Sequence, residues 1–170
     1  MTVTYRDATP ADAAALDGLF DSVFCDTFAH LYRPDDLSAF LSSFGISDWE
    51  EQLRDPAFAV RIAEVDGAGV GFVKIGPMKL PVEQCDPSSM LLDQLYVRGE
   101  HHGSGIAREL MDWAIEEARR RGADALYLTV FIDNQRARRF YDRFGFEDVG
   151  RYAFMVGKQA DEDIIMRKTL

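Results

Sequence analysis

Hydrophobic positions along the chain switch between two periods, and the switches lay out an α/β order. VTYRDA (3–8) alternates as a first strand. Thr9 and Pro10 then open a helix whose apolar positions Ala14, Leu16, Leu19, Phe20, Val23, Phe24 and Phe28 recur at helical spacing. Pro34 begins a second short helix holding Leu37, Phe40, Leu41 and Phe44, closed near Gly45, and a polar helical turn follows around Trp49–Arg54. FAVRIAEV (58–65) and VGFVKI (70–75) read as strands, and the DGAG between them makes a hairpin. Residues 76–88 hold three prolines and read as a loop. MLLDQLYV (90–97) is a largely apolar strand. A helix over Gly105–Arg121 places Ile106, Leu110, Trp113 and Ala114 on one side and is ended by Gly122. ALYLTVF (125–131) is the next strand. Asn134–Phe144 is a helix with Ala137, Phe140, Tyr141 and Phe144 at i, i+3, i+4 and i+7, and Gly145 sits where a left-handed cap is wanted. Two last strands, roughly 146–156 and 162–169, are joined by GKQAD as the turn.

The order β-α-α-β-β-β-α-β-α-β-β predicts a mixed sheet covered by helices, one domain over 1–170, with a right-handed parallel crossover in its middle β-α-β piece. Composition changes this picture little: 47% apolar and 28% charged residues are an ordinary globular mix. No run of about 18 apolar residues exists. The N-terminus lacks a basic-then-apolar leader pattern, so a cytosolic protein without a membrane partner is expected. The net charge of −10 disfavours nucleic acid as a partner. It suits cationic small substrates, although solubility alone also accounts for it. Cys25 and Cys85 have no metal-ligand spacing, and His30, His101 and His102 form no i, i+4 pair, so no metal is expected.

HHGSGIARELM (101–111) places glycine between a strand and a helix, where helix propensity is being lost. The first N–H groups of a helix have no internal partners, and glycine lets a phosphate approach them. The stretch is neither a Walker loop, since no lysine follows, nor a dinucleotide fingerprint, which needs glycine at Arg108. Taken alone it is either an anion site or a simple turn of the chain.

Downstream, DNQRARRFYDRFGFEDVG (133–150) reads N-x-x-A-x-x-F-Y-x-x-x-G-F. The two stretches together resemble the GNAT superfamily of acyl-CoA-dependent N-acetyltransferases. The family motif Q/R-x-x-G-x-G/A falls on His102, Gly103, Ser104, Gly105, Ile106 and Ala107, with His102 in place of Gln or Arg. FCDTF near residue 26, LLDQLYV, and a tail of the form D-x-I-M-x-K-T-L are similar to the PaiA-type polyamine acetyltransferases within it. The resemblance implies an α/β GNAT fold, a mixed and mostly antiparallel sheet of about seven strands with a splayed parallel pair at its centre.

It also implies site residues. His102, Gly103, Ser104, Gly105, Ile106, Ala107 and Arg108 hold the pyrophosphate of acetyl-CoA, chiefly through main-chain N–H groups. Leu95, Tyr96 and Val97 lie along the pantetheine, with a backbone N–H near Leu95 facing the thioester carbonyl. Asn134 either contacts the co-substrate or caps its helix. Tyr141, packed on Phe140, is either the acid that protonates the leaving thiolate or an aromatic of the core stripe. Asp93, an acid in an apolar strand, is a base for the amine, a binder of the ammonium, or a structural hydrogen-bond acceptor. Asp26, Phe28 and Tyr32 fall over the acceptor side, where Asp26 is placed to hold a second ammonium. The expected activity is transfer of an acetyl group from acetyl-CoA to a primary amine by direct attack in a ternary complex, with a polyamine favoured. A protein Lys or N-terminal amine, or a regulatory module that binds acyl-CoA without catalysis, are the alternatives. A homodimer is compatible with the resemblance.

Overall fold

The computed structural model describes residues 1–170. In chain order the elements are β1 (Val3–Asp7), α1 (Ala13–Phe28), α2 (Pro34–Ser42), α3 (Ile46–Arg54), β2 (Ala59–Val65), β3 (Ala68–Pro77), β4 (Ser89–Val97), α4 (Ile106–Arg120), β5 (Ala125–Phe131), α5 (Gln135–Arg143), β6 (Glu147–Val156) and β7 (Gln159–Thr169). The strands form one sheet in the order β1-β2-β3-β4-β5-β7-β6. Every neighbouring pair is antiparallel except β4 with β5, which α4 connects. This is the mixed seven-stranded fold the sequence predicts.

The hydrophobic stripes decide which helix covers which face. On α4, Ile106, Leu110, Met111, Ala114, Ile115 and Ala118 are buried, and they pack with Val73, Leu126, Leu128, Ile164 and Met166 under one face. Tyr141 and the aromatic stripe of α5 join that layer. On the other face, Leu16, Leu19, Phe20, Val23 and Phe24 of α1 pack with Trp49 of α3 and with Ile62 and Phe72 of the sheet. The segment read as a polar turn around Trp49 is a full helix, α3. Its Trp49 is fully buried and anchors it to the sheet through Phe72, ring centroids 5.5 Å apart.

Two local features differ from, or sharpen, the sequence reading. The β6–β7 turn is only Gly157 and Lys158, because Gln159 already pairs with Val156. Asp161, assigned to the turn from sequence, is therefore a strand residue opposite Phe154. In β4, Lys74 pairs with Gln94 and Ile75 with Leu92, which leaves Asp93 as the extra residue of a bulge. A bulge bends and twists its strand. β4 accordingly pairs with β5 only over Ser89–Leu91 against Ala125–Tyr127, and the two strands then diverge.

Candidate active site

The divergence of β4 from β5 opens a cleft of about 520 Å³ that passes through the sheet. On the α4/α5 side it is walled by the 101–108 loop and by Asn134, Ala137, Phe140 and Tyr141. In the gap lie Leu92–Val97 and Thr129–Phe131. On the α1 side lie Phe24, Phe28, Tyr32, Phe154, Asp161 and Asp163.

The loop side is an anion cradle made of main chain. Gly103 and Gly105 both take positive φ, 80° and 90°, and Gly105 is the residue before α4. The N–H groups of Gly103 and Gly105 donate no hydrogen bond within the fold, and those of Ile106, Ala107 and Arg108 are the first-turn donors that an α-helix leaves free. Together with the helix dipole they suit a pyrophosphate. A Cβ at either glycine meets nothing within 4 Å, so the conformation and the open approach are what require glycine. Ile106 is a core side chain and offers only its main-chain N–H, whereas both the N–H and the hydroxyl of Ser104 turn back to the His101 carbonyl.

His102, which departs from the family pattern, ties this loop down. Its Nε2 lies 2.8 Å from the Val97 carbonyl at the end of β4, and its Nδ1 is met by the Arg136 guanidinium from α5. Since guanidinium only donates, Nδ1 accepts and Nε2–H donates. The histidine thus links the loop, β4 and α5, and turns Arg136 toward the cleft wall, which Arg108 and Arg143 also line. Asn134 caps α5, its Oδ1 accepting from Ala137 N at 3.2 Å, while also lining the cleft.

Tyr141 sits where α5 meets the gap. It packs on Phe140 and Phe146 with centroids 5.5 and 5.9 Å away, and it lines the cleft. Burial pushes its phenol up to about 12, so it holds its proton throughout the neutral range. Tyr96 reaches the gap from β4, its ring 5.2 Å from Phe20. Burial, with Tyr141, Asp93 and Asp163 nearby, raises its phenol too.

Phe28 and Tyr32 line the cleft on the α1 side, with Phe28 stacked 6.4 Å from Phe131 and Tyr32 stacked 6.0 Å from Phe24. Asp26 is corrected: it is exposed near the end of α1 and does not line the cleft, since Val23, Phe24, Thr27 and Phe28 are the α1 residues turned to it. Asp93 is in the cleft wall, where two lysines meet it. Its two oxygens lie 3.3 Å from the ammonium groups of Lys74 and Lys79. Lys74 is 2% exposed, bonds Gln52 at 2.7 Å, and lies 4.8 and 4.6 Å from the ring centres of Phe44 and Trp49. Burial pushes Lys74 down and Asp93 pulls it back up. Asp93 is thus the counter-ion of a buried ammonium.

A stability prediction follows from that pair. Asp93→Asn costs about 3 kcal/mol in urea unfolding at neutral pH, because one partner of a buried pair is lost. Adding Lys74→Met recovers most of the loss, while Lys79→Ala, on the exposed side, changes stability by less than about 0.5 kcal/mol. Equal losses in the single and double variants would remove the pair from the core.

Lys74, Thr129, Phe154, Asp161 and Asp163 were not singled out from sequence. The available signal was the pair of acids two apart before Ile165, which share one strand face once the turn is shortened to two residues.

Comparison with known proteins agrees with this geometry. Residues 25–146 match the model of the acetyltransferase (GNAT) family. The chain belongs to that family. It is 30% identical over 138 residues to an uncharacterized N-acetyltransferase of Mycobacterium tuberculosis, covering 81% of this chain and 84% of the relative. It is 31% identical over 166 residues to the streptothricin acetyltransferase of Streptomyces lavendulae, covering 88% and 84%. In fold it is similar to the PaiA N-acetyltransferase of Thermoplasma acidophilum crystallised with coenzyme A, with a TM-score of 0.79, 17% identity and full coverage of both chains. The protein is a GNAT-type N-acetyltransferase that uses acetyl-CoA.

Proposed function

We propose that the acceptor is a polyamine and that the acetyl group moves to one of its primary amines by direct attack in a ternary complex. The observation that carries this reading is the shape and charge of the single through-sheet cleft. Free main-chain N–H groups line one mouth, and an aromatic chamber with buried carboxylates lines the other. The first suits a pyrophosphate, the second an alkylammonium whose stem lies on Phe28, Phe131 and Phe154.

When bound, acetyl-CoA supplies an activated thioester. Gly103, Gly105 and the first turn of α4 hold its phosphates, with Arg108, Arg136 and Arg143 adding charge. The unpaired β4 edge over Leu95–Val97 positions the pantetheine and offers main-chain N–H to the developing oxyanion. Tyr141 donates a proton to the departing sulfur.

Thiol release from acetyl-CoA tests the reading, with spermidine, spermine, putrescine, lysine, a Lys-containing peptide and streptothricin as acceptors. Polyamines turn over with kcat/KM at least about tenfold above the others. Preference for streptothricin, as in the name of the Streptomyces lavendulae relative, or for the peptide replaces the polyamine and keeps the chemistry. Acetyl-CoA binding without thiol release on any amine would leave a binding module.

A further inference from the structure

The floor of the acceptor chamber holds two carboxylates that lack a counter-ion. Asp161 and Asp163 stand on the same face of β7, opposite Phe154 and Phe131 in register, and are 8% and 6% exposed. Asp161 is engaged: it accepts the Tyr32 phenol and, at 3.0 Å, the Gln159 amide. Asp163 faces Thr129 from β5, Tyr152 from β6 and Tyr32 from the end of α1, with Tyr96 and Asp93 of β4 beyond. No Lys, Arg or His figures among the charges that act on it. Burial raises it to about 7, with the Asp161 charge acting in the same direction and the Thr129 hydroxyl partly offsetting both. A polar group without a partner stands on the same cleft wall, where the Gln94 Oε1 is buried without a donor. Buried anions and amide oxygens without partners are costly in a fold unless a ligand supplies the missing cation and N–H.

We propose that Asp163 is the proton acceptor for the amine substrate, and that Asp161, braced by Tyr32, is the second carboxylate that holds the ammonium group. The inference rests on the amine-acetylation reading above. An alkylammonium enters protonated, with a pKa about 10, and cannot attack. Asp163 removes one proton. The freed nitrogen lone pair forms the C–N bond to the acetyl carbonyl, and the C–S bond breaks with its electron pair leaving on sulfur. The nitrogen's second proton passes to water in the solvent-connected cleft, sulfur takes a proton from Tyr141, and Tyr141 is reprotonated from that same water. The net reaction yields amide, thiol and one proton, which Asp163 returns to water. Asp93 remains paired with Lys74 and Lys79.

The test is the pH dependence of kcat/KM for spermidine from about pH 5.5 to 9.5, with acetyl-CoA affinity measured alongside. Wild type rises through a midpoint near pH 7, because the base works only after losing its own proton. Asp163→Asn loses that midpoint and falls about 100-fold near neutrality. It then climbs about tenfold per pH unit as free amine accumulates, and binds acetyl-CoA within about twofold of wild type. Asp163→Glu recovers the midpoint, which a purely structural role would not do. An Asn variant that keeps the midpoint and stays within about threefold overturns the proposal. If that variant does not fold, calorimetry on wild type with coenzyme A and spermidine in two buffers decides. About half a proton is released per site near pH 7 if Asp163 receives the ammonium, and none overturns it. Acetylation of an amine with a wild-type-like Asn variant defeats this inference alone. Absence of acetylation with every amine defeats the acetyl-transfer reading, and this inference with it.

Discussion

Gly105→Asp abolishes acetyl-CoA binding while leaving the fold intact. Two effects add. At φ 90° the backbone is in the left-handed region, where a side chain costs on the order of 1–2 kcal/mol. The space around the new Cβ is open, so the strain is conformational and the protein survives it. The carboxylate then points a negative charge into the cradle of free N–H groups, and repulsion from a pyrophosphate charge at contact distance is about 4 kcal/mol in a partly screened site. Together these weaken binding by roughly 10³- to 10⁴-fold. Gly105→Ala carries the strain alone and loses about tenfold. Calorimetric titration of both variants with acetyl-CoA, beside circular dichroism for folding, separates the two. Normal affinity in the aspartate variant would mean that the phosphates bind elsewhere.

That prediction lies on the part of the site written locally in the chain. A glycine turn between a strand and a helix, and an F-Y pair in an amphipathic helix before Gly145, are decided by residues within one turn of each other. Gly103 and Gly105, far in the chain from Asn134, Phe140 and Tyr141, line one cleft with them. The acceptor side is written across the fold and was read less well. The β6–β7 turn looked five residues long because Gly157 and Asp161 are both turn formers. Pairing of Gln159 with Val156, and the bond from Lys158 N to Asp36 at 2.9 Å, extend the strand instead. That shift carries Asp161 from a loop onto the cleft floor. Gly157 has no alternative residue there, since a Cβ would meet Asp36 Cα at 2.5 Å.

Asp93 shows the complementary limit. An acid in an apolar strand signals that something meets it, but the partner was on β3, where Lys74 sits in a sequence run of otherwise apolar residues. Asp93 alone suggests chemistry; with Lys74 it forms an ion pair beneath α3. On β7 the reverse holds. Asp161 falls in the GKQAD turn by sequence and Asp163 carries no local signal, yet the fold buries both with no cation beside them. Which acid is free to react thus depends on cross-strand neighbours that no local pattern encodes.

Tyr141→Phe lowers kcat about 100-fold and leaves the affinity for acetyl-CoA within about twofold of wild type. The ring contacts with Phe140 and Phe146 are apolar and survive the change, so folding stability is nearly constant. The phenol makes no hydrogen bond to another side chain, and its burial favours the protonated form. A thiolate leaving into the same apolar surroundings gains most from a proton there. The sign of the pH effect is fixed by that burial. A general acid works below its pKa, and with the phenol near 12 the acid form persists across the measurable range. Wild-type kcat therefore shows no alkaline fall from Tyr141 below about pH 11, and the Phe variant is displaced downward by a constant factor rather than reshaped. Asp163→Asn alters the shape of the same profile, so the two residues are told apart in a single set of pH–rate curves. Unchanged turnover in the Phe variant would make Tyr141 an aromatic of the core stripe and require another proton source at the sulfur.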